Sequence, residues 1–168
     1  GSHNLSFHKV PKVWRIVDLI QWSDSYFREK SHQSPRLEIE WMLCSLLNCE
    51  RLDLYMRFDE PLSGPQLSTL RGWVKRRSKN EPLQYITESC EFYGIEFFVD
   101  KRVLIPRPET ERLIDEAIKS IKHVRSPNIF DIGTGSGCIA ITLAKEIENS
   151  NVIGIDKSMI SLQVAKKN

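Results

Sequence analysis

The sequence predicts an α + α/β fold: a small helical bundle, a β-hairpin linker, and the start of a Rossmann-like domain with an incomplete parallel sheet. Three observations support this order. Apolar residues recur at helical spacing up to Pro82, aromatic β-prone runs follow it, and strand, helix and strand alternate from Ile129 onward. Strand, helix and strand in succession form a βαβ unit, which implies parallel strands. We therefore expect a helical domain at 4–86, a linker at 87–108 and the Rossmann-like part at 109–168.

The first two helices are predicted from spacing and from a start signal. The first carries its apolar stripe at helical intervals: Val13, Ile16, Val17, Ile20 and Phe27. Ser34 is the expected N-cap of the second helix and Pro35 its first residue, because the missing N–H of proline costs nothing there. The buried face of the second helix is expected to comprise Ile39, Met42, Leu43, Leu46 and Leu47.

A short third helix is expected over Leu52–Arg57, and a fourth has the clearest start signal in the chain. Ser63 and Gln66 fit a capping box, in which each side chain accepts a hydrogen bond from the other residue's backbone N–H. Pro82 ends the helical pattern, since a proline disfavours the helical conformation of the residue before it. Four or five helices with short connections make a small bundle.

The linker and the βαβ unit follow. Glu91–Tyr93 and Glu96–Val99 are predicted to pair as a hairpin that turns at Gly94-Ile95. Residues 103–108 should be extended because of Pro106 and Pro108, and a helix should cover residues 110–123. The βαβ unit is then expected to comprise a strand at 129–132, a helix at 138–147, a strand at 152–156 and a further helix capped by Ser158.

The bulk composition is that of an ordinary globular protein. Hydrophobic residues make up 40% and charged residues 27% of the 168, and the formal net charge is +2. This balance argues against wrapping nucleic acid or coating an anionic membrane, so neither partner is expected. No apolar run approaches the roughly 18 residues that span a bilayer. The four cysteines lack metal-ligand spacing, so we expect reduced thiols, no metal site and a cytosol-like compartment.

The chemistry is expected in the segment Asp131-Ile132-Gly133-Thr134-Gly135-Ser136-Gly137. Alternating glycines between a strand and a helix let the backbone turn sharply and approach a ligand closely. The N–H groups at the helix start can then bind either a pyrophosphate or an amino-acid carboxylate. The dinucleotide fingerprint places its third glycine three residues after the second, whereas here the third glycine is Gly137.

Asp156 lies at the end of the next strand, about twenty residues beyond the turn, where an acidic side chain can accept from both ribose hydroxyls. Such an acid favours an unphosphorylated ribose, and hence a nucleoside cofactor over NADP. The plainer alternative is that the glycines only form a tight turn and that Asp156 only caps a helix.

Beyond the turn, several segments resemble one family, the HemK/PrmC glutamine-N5 methyltransferases that modify peptide-chain release factors. In the helical part the similar segments are Ser34-Pro35-Arg36-Leu37-Glu38, Arg57-Phe58-Asp59-Glu60-Pro61-Leu62 and Glu81-Pro82-Leu83-Gln84-Tyr85-Ile86. In the linker they are Glu91-Phe92-Tyr93-Gly94 and the specific block Leu104-Ile105-Pro106-Arg107-Pro108-Glu109-Thr110-Glu111. The resemblance extends from about residue 13 to the end of the sequence.

The resemblance implies a helical domain that engages the release factor and a class I methyltransferase domain that binds S-adenosyl-L-methionine. Its methionine part would lie on Gly133, Thr134, Gly135, Ser136 and Gly137, with Asp131 supporting the turn. The ribose would be held by Asp156, and Arg107, Glu109 and Thr110 would line the cleft. A cytoplasmic location, or the mitochondrial matrix in a eukaryote, is expected.

The sequence stops at Asn168, before the family's Asn-Pro-Pro-Tyr signature, so it contains no candidate catalytic residue. We therefore expect this polypeptide alone to be inactive. Since parallel strands are normally buried on both faces, we expect residues 128–168 to be stabilised by the linker, by further residues or by self-association. The alternatives are a DNA or RNA adenine-type methyltransferase, an NAD-dependent Rossmann oxidoreductase, and a non-catalytic docking module.

The basic run from Lys75 to Lys79 has two interpretations. It could contact RNA or an acidic protein face, but a solvated helix end is favoured, because cations are favoured near helix C-termini.

Overall fold

A computed structural model describes residues 13–30 and 32–168, and residues 4–12 of the expected helical domain lie outside the described residues. The chain forms two compact units, Gly1–Leu83 and Gln84–Asn168. No helix in the described part of the chain combines the length and the apolar character needed to cross a membrane.

The described part of the first unit is built from four helices. They are α1 (Ile16–Glu29), α2 (Pro35–Leu47), α3 (Arg51–Met56) and α4 (Gly64–Arg77). Their shared core comprises Ile16, Leu19, Ile20, Phe27, Ile39, Met42, Leu43, Leu54, Leu62, Leu70, Val74 and Leu83. The predicted starts of α2 and α4 are confirmed: Pro35 is the first residue of α2, and Ser63 and Gln66 form the reciprocal capping pair of α4.

The predicted stripe of the first helix is wrong at its beginning. The backbone N–H of Arg15 donates to the Asp18 carboxylate at 3.0 Å, and α1 begins one residue later at Ile16. Val13 therefore stands before the helix with 51% of its surface exposed, while Leu19 is fully buried in the core. A capping hydrogen bond decided where the helix starts, and the apolar spacing did not reveal it.

A buried carboxylate joins α2 to α3. Glu40 has a side chain that is only 2% exposed, and it accepts hydrogen bonds from Arg36 (3.0 Å), Arg51 (2.6 Å) and the Tyr55 hydroxyl (2.8 Å). Burial raises the pKa of Glu40, but the hydrogen bonds from Tyr55, Arg36 and Arg51 outweigh it, so that the pKa lies below its ordinary value. The carboxylate is therefore ionised at neutral pH and neutralised by its partners.

Two cations of the basic run on α4 are used inside the first unit. The Arg76 guanidinium pairs with Glu81 through two hydrogen bonds of 2.8 and 2.6 Å. Arg77 pairs with Glu38 of α2 at 2.8 Å and also donates to the carbonyl of Glu81 at 3.0 Å. These contacts assign part of the run to holding the bundle together.

The chain after Pro82 differs from the sequence expectation at two places. Helix α5 (Leu83–Thr87) follows Pro82, although Pro82 was expected to end the helical pattern. Proline at the position before a helix is compatible with its start, because the N–H that it lacks is not needed there.

Strands β1 (Cys90–Phe92) and β2 (Ile95–Phe97) form the hairpin, but the turn is Tyr93-Gly94, with φ values of 53° and 73°. Positive φ at both turn residues is typical of a type I′ turn, which matches strand twist.

The rest of the second unit follows the expected order. A 3-10 turn at Pro108–Thr110 leads into α6 (Glu111–Ile121), then β3 (Asn128–Ile132), α7 (Cys138–Glu146), β4 (Asn151–Ile155) and α8 (Met159–Lys167). Strands β3 and β4 are parallel, in register from Asn128 opposite Asn151 to Ile132 opposite Ile155. The predicted βαβ unit and its parallel sheet are thus present.

The linker hairpin contributes to the core of the second unit. Phe92 and Phe97 are each 1% exposed and pack in one cluster with Ile114, Cys138 and Leu143. Ile129 of β3 and Val152 of β4 pack against the same cluster. The aromatic side chains of the linker thus pack against the βαβ unit, as expected if the linker helps to stabilise residues 128–168.

The parallel sheet has one exposed face, although parallel strands are normally buried on both faces. The α7 side of the sheet is covered, but the side chains that alternate to the opposite face are exposed: Phe130 (60%), Ile132 (82%), Ile153 (51%) and Ile155 (44%). Successive strand residues point to opposite faces, so a single packed layer can bury only every second residue.

Replacing Glu40 with glutamine should lower the free energy of unfolding of the first unit by about 2 kcal/mol. Hydrogen bonds to a charged group are worth about 1.5–3 kcal/mol each. The total is kept low because the two arginine partners are half exposed, and solvent screens their attraction to the carboxylate. Urea denaturation followed by tryptophan fluorescence measures this, because all four tryptophans lie in the first unit: Trp14, Trp22, Trp41 and Trp73.

The same comparison has a pH dependence. The folded-state pKa of Glu40 is depressed, so its contribution is complete above the unfolded pKa and disappears as the pH falls through the folded value. The difference between Glu40→Gln and wild type should therefore shrink below about pH 4. Glu29→Gln, an exposed substitution on α1, should change little at any pH. An equal effect of the two substitutions at neutral pH would contradict the account.

Candidate functional site

The glycine-rich turn and the acidic residue meet at one edge of the parallel sheet. The turn Asp131–Gly137 leaves the carboxyl end of β3, and Asp156 follows the carboxyl end of β4. In open α/β sheets, ligands bind in the crevice outside the carboxyl ends of the strands. The structure therefore brings the predicted turn and the predicted acid together where such a ligand would bind.

The turn adopts a backbone that only glycine adopts readily at three positions. Gly133, Gly135 and Gly137 have φ values of 78°, 55° and 81°, in the left-handed region. A Cβ atom added to Gly133 or Gly135 would meet nothing within 4 Å, so open space adjoins both residues. A Cβ on Gly137 would lie 3.3 Å from the Cβ of Ala165, because α8 packs closely there.

The turn is tied to the end of β4 by backbone hydrogen bonds. The N–H groups of Gly133 and Thr134 both donate to the carbonyl oxygen of Ile155, at 2.7 and 2.9 Å. The N–H of Gly137 donates to the carbonyl of Thr134 at 2.8 Å, which closes the turn. These bonds fix the path of the chain between β3 and α7.

Asp131 supports the turn from its first residue. Its Oδ2 accepts a hydrogen bond of 2.8 Å from the Thr134 hydroxyl, and Thr134 is only 7% exposed. The contact is intramolecular and holds a buried side chain, which agrees with the supporting role that the resemblance implies for Asp131.

Asp156 is held by two backbone N–H groups. Its Oδ1 accepts from Ser158 at 2.8 Å and its Oδ2 accepts from Gly135 at 3.0 Å. The hydrogen bonds from Ser158 and then from Gly135 lower the pKa of this carboxyl below its ordinary value. The side chain is half exposed, and a carboxylate has about four acceptor positions, so each oxygen can still accept from a ligand hydroxyl.

Fewer backbone N–H groups are available to a ligand than the sequence suggested. The N–H groups of Gly133, Thr134, Gly135 and Gly137 already donate to the chain itself. Within the described residues, no carbonyl or side-chain oxygen accepts a hydrogen bond from the N–H groups of Ser136 and Cys138, which lie at the start of α7. A helix start carries partial positive charge, so these donors suit an anionic group.

Gly154 is a further part of the site that the sequence reasoning missed. A Cβ atom at this position would lie 2.7 Å from the hydroxyl oxygen of Thr134, closer than packed atoms approach. β4 can therefore come this near to the turn only with a glycine there. A glycine inside a strand pattern is a signal of close backbone approach, and it was available in the sequence.

The other cleft candidates remain predictions. Arg107 and Glu109 are exposed and Thr110 is half exposed; Glu109 and Thr110 belong to the 3-10 turn before α6, and Arg107 precedes it. In the part of the chain that the structure describes, no hydrogen bond joins their side chains to the glycine turn.

Known proteins resemble both units. Residues 18–87 match a family model described as the PrmC N-terminal domain, and residues 123–168 match one described as a methyltransferase domain. The release factor glutamine methyltransferase of Geobacter sulfurreducens is 42% identical over 158 residues, covering 94% of this chain and 55% of that protein. The enzyme of the same name from Chlorobaculum tepidum is also 42% identical, with the same two coverages, and that from Bacillus anthracis is 36% identical. The chain thus spans 55% of the length of these relatives.

Gly154→Ala should displace Thr134 and break its hydrogen bond to Asp131, with a loss of about 1–3 kcal/mol, as is usual for overpacking. Native-state hydrogen exchange at the amides of β3 and β4 measures the loss. Gly72→Ala in α4 is the matched control, because an added Cβ meets nothing there and should stabilise that helix by about 0.5–1 kcal/mol. Unchanged protection of β4 in the Gly154→Ala protein would show that the close approach is unimportant.

Proposed function

Because this chain belongs to the family of the release factor glutamine methyltransferases, we propose that the whole protein transfers a methyl group from S-adenosyl-L-methionine to the side-chain amide nitrogen (N5) of a glutamine in a peptide-chain release factor. The observation that carries the proposal is the glycine turn, which is bonded to the end of β4 and lies beside the Asp156 carboxylate.

The residues of the turn fit the two polar ends of this cofactor. S-adenosyl-L-methionine supplies an electrophilic methyl group on a sulfonium, with a carboxylate at one end and a ribose at the other. The free N–H groups of Ser136 and Cys138 at the start of α7 would hold the carboxylate. The remaining acceptor positions of Asp156 would hold the ribose hydroxyls. The open space at Gly133 and Gly135 leaves room for a ligand to approach the backbone.

This chain contributes binding and orientation to the reaction. An amide nitrogen is a weak nucleophile because its lone pair is delocalised, so the rate depends on holding it in line with the methyl group. A turn fixed by hydrogen bonds at both ends would keep the cofactor, and therefore its methyl group, in one position. The alignment of the amide nitrogen is the other part of the requirement. Direct displacement of the methyl group needs no nucleophilic side chain from this part of the protein.

The first unit is the candidate docking element for the release factor. It has its own core and therefore presents a firm surface, which suits protein recognition. Lys75 and Lys79 of the basic run are exposed, and within the described residues they have no ion-pair partner, so they are available to an acidic protein face. RNA is the other polyanion that such cations could contact.

In the full-length protein, Asp156→Asn should weaken binding of S-adenosylhomocysteine by about tenfold, since hydrogen bonds to an ionised acceptor are stronger than those to a neutral one. Isothermal titration calorimetry gives the dissociation constant. Because the pKa of Asp156 lies below its ordinary value, wild-type affinity should persist over the whole pH range in which an ordinary aspartate is ionised. Glu148→Gln removes the same charge from an exposed site and should bind as wild type does. Binding of NAD in place of S-adenosylhomocysteine would reject the proposed cofactor.

Incubation of the full-length protein with methyl-labelled S-adenosyl-L-methionine, a release factor and duplex DNA should place the label on a single glutamine of the release factor. Mass spectrometry of its peptides locates the site, and a release factor with that glutamine changed to alanine is the control. Label that appears in DNA, or in neither substrate, would contradict the proposed substrate class.

A further inference from the structure

Helix α8 holds the glycine turn from both of its ends. At the start, Asp156 accepts from the N–H of Gly135, and Ser158 caps the helix by accepting from Ser161 at 3.2 Å. At the end, the side-chain amide of Asn168 donates to the carbonyl oxygen of Ser136 at 2.9 Å. Nothing in the sequence pattern had pointed to Asn168.

Asn168 also ties the turn to the linker. Its Oδ1 accepts from the N–H of Phe98 at 2.7 Å, and its Nδ2 donates to the carbonyl of Phe98 at 3.0 Å. One carboxamide thus satisfies both backbone groups of a linker residue, as a neighbouring strand would. Lys167 lies with its Nζ 3.6 Å from the centre of the Phe98 ring, and Val164, fully buried, packs with Val99.

The peptide between Ser136 and Gly137 is the unit that Asn168 controls. Its carbonyl oxygen accepts from Asn168, and its N–H, on Gly137, donates to the carbonyl of Thr134 at 2.8 Å. Both ends of one peptide plane are therefore fixed. Without the hydrogen bond from Asn168, this peptide plane could rotate easily, because the residue after it is Gly137 and glycine tolerates both signs of φ.

We propose that Asn168 is a positioning residue for the cofactor, whose carboxamide keeps the Ser136–Gly137 peptide in the orientation that leaves the N–H groups of Ser136 and Cys138 available to the ligand. This inference rests on the proposed function. Asn168 does not touch the cofactor in this account, and it acts through the turn. Its bonds to Phe98 make the linker part of the same support, so the hairpin and the turn are fixed relative to each other.

The test uses Asn168→Asp and Asn168→Ala in the full-length protein. Aspartate keeps the size and one acceptor but has no amide donor for Ser136, and alanine removes the donor without adding charge. Lys166→Gln makes the same change of charge as Asn168→Asp from an exposed position on α8 and serves as the control. If Asn168→Asp does not fold, Asn168→Ala decides the outcome.

Both variants should bind S-adenosylhomocysteine about tenfold more weakly than wild type, while Lys166→Gln binds normally. The KM for S-adenosyl-L-methionine should rise by about the same factor with kcat at saturation nearly unchanged, because the lost interaction serves binding. Hydrogen exchange should show lower protection at Gly137 and unchanged protection in β3 and β4. A purely structural residue would not produce this local pattern.

The outcomes separate the two proposals. If wild type binds S-adenosylhomocysteine and both variants bind it equally well, Asn168 has no positioning role. Weak binding accompanied by lost protection throughout β3 and β4 would also overturn the role, because it would report general unfolding. If wild type itself does not bind the probe, the proposed cofactor fails, and the cofactor role of Asn168 fails with it.

Discussion

The carbonyl oxygen of Ile155 accepts two hydrogen bonds from the turn that leaves the neighbouring strand, from Gly133 at 2.7 Å and from Thr134 at 2.9 Å. This pair of hydrogen bonds to one carbonyl oxygen decides where the turn lies. It requires β3 and β4 to be parallel and in register, so that Ile132 is opposite Ile155 and the two chains leave the sheet side by side. Once the turn is bound there, Asp156 follows directly and reaches the N–H of Gly135.

The remaining features of the site follow from that closeness. Thr134 is forced against β4, where only a glycine at position 154 leaves room for its hydroxyl. The hydroxyl then satisfies its hydrogen bond with Asp131, which lies on the covered side of the sheet. Gly137 must adopt a positive φ for α7 to start, and α8 packs against it through Ala165. Each of these contacts is small. Together they leave N–H donors at the start of α7 available to a ligand, with the Asp156 carboxylate beside the turn.

Local signals in the sequence predicted much of this arrangement, and contacts between distant segments decided the rest. Ser63 and Gln66 marked a helix start because a capping box is a local interaction, and the succession of strand, helix and strand patterns from Ile129 onward predicted the βαβ unit. The start of α1, by contrast, depends on the bond from Arg15 to Asp18, which apolar periodicity does not encode. The hairpin turn was placed one residue late because Tyr93 adopts the positive φ that a glycine-based reading would not assign to a tyrosine.

The site shows the same division. The glycines and the acid can be recognised from their order in the sequence. That four N–H groups of the turn donate to the chain itself could not be recognised, because three of these hydrogen bonds depend on the path of β4 and of Asp156 after it. The contacts of Asn168 could not be predicted for the same reason, because its partners Phe98 and Ser136 are far from it in sequence.

A crystal structure of the full-length protein with S-adenosylhomocysteine tests the central claim most directly. We expect the ligand carboxylate on the N–H groups at the start of α7, the ribose on Asp156, and an unchanged pair of hydrogen bonds from the turn to Ile155. A nucleoside bound elsewhere, or a turn released from Ile155 in the complex, would contradict it.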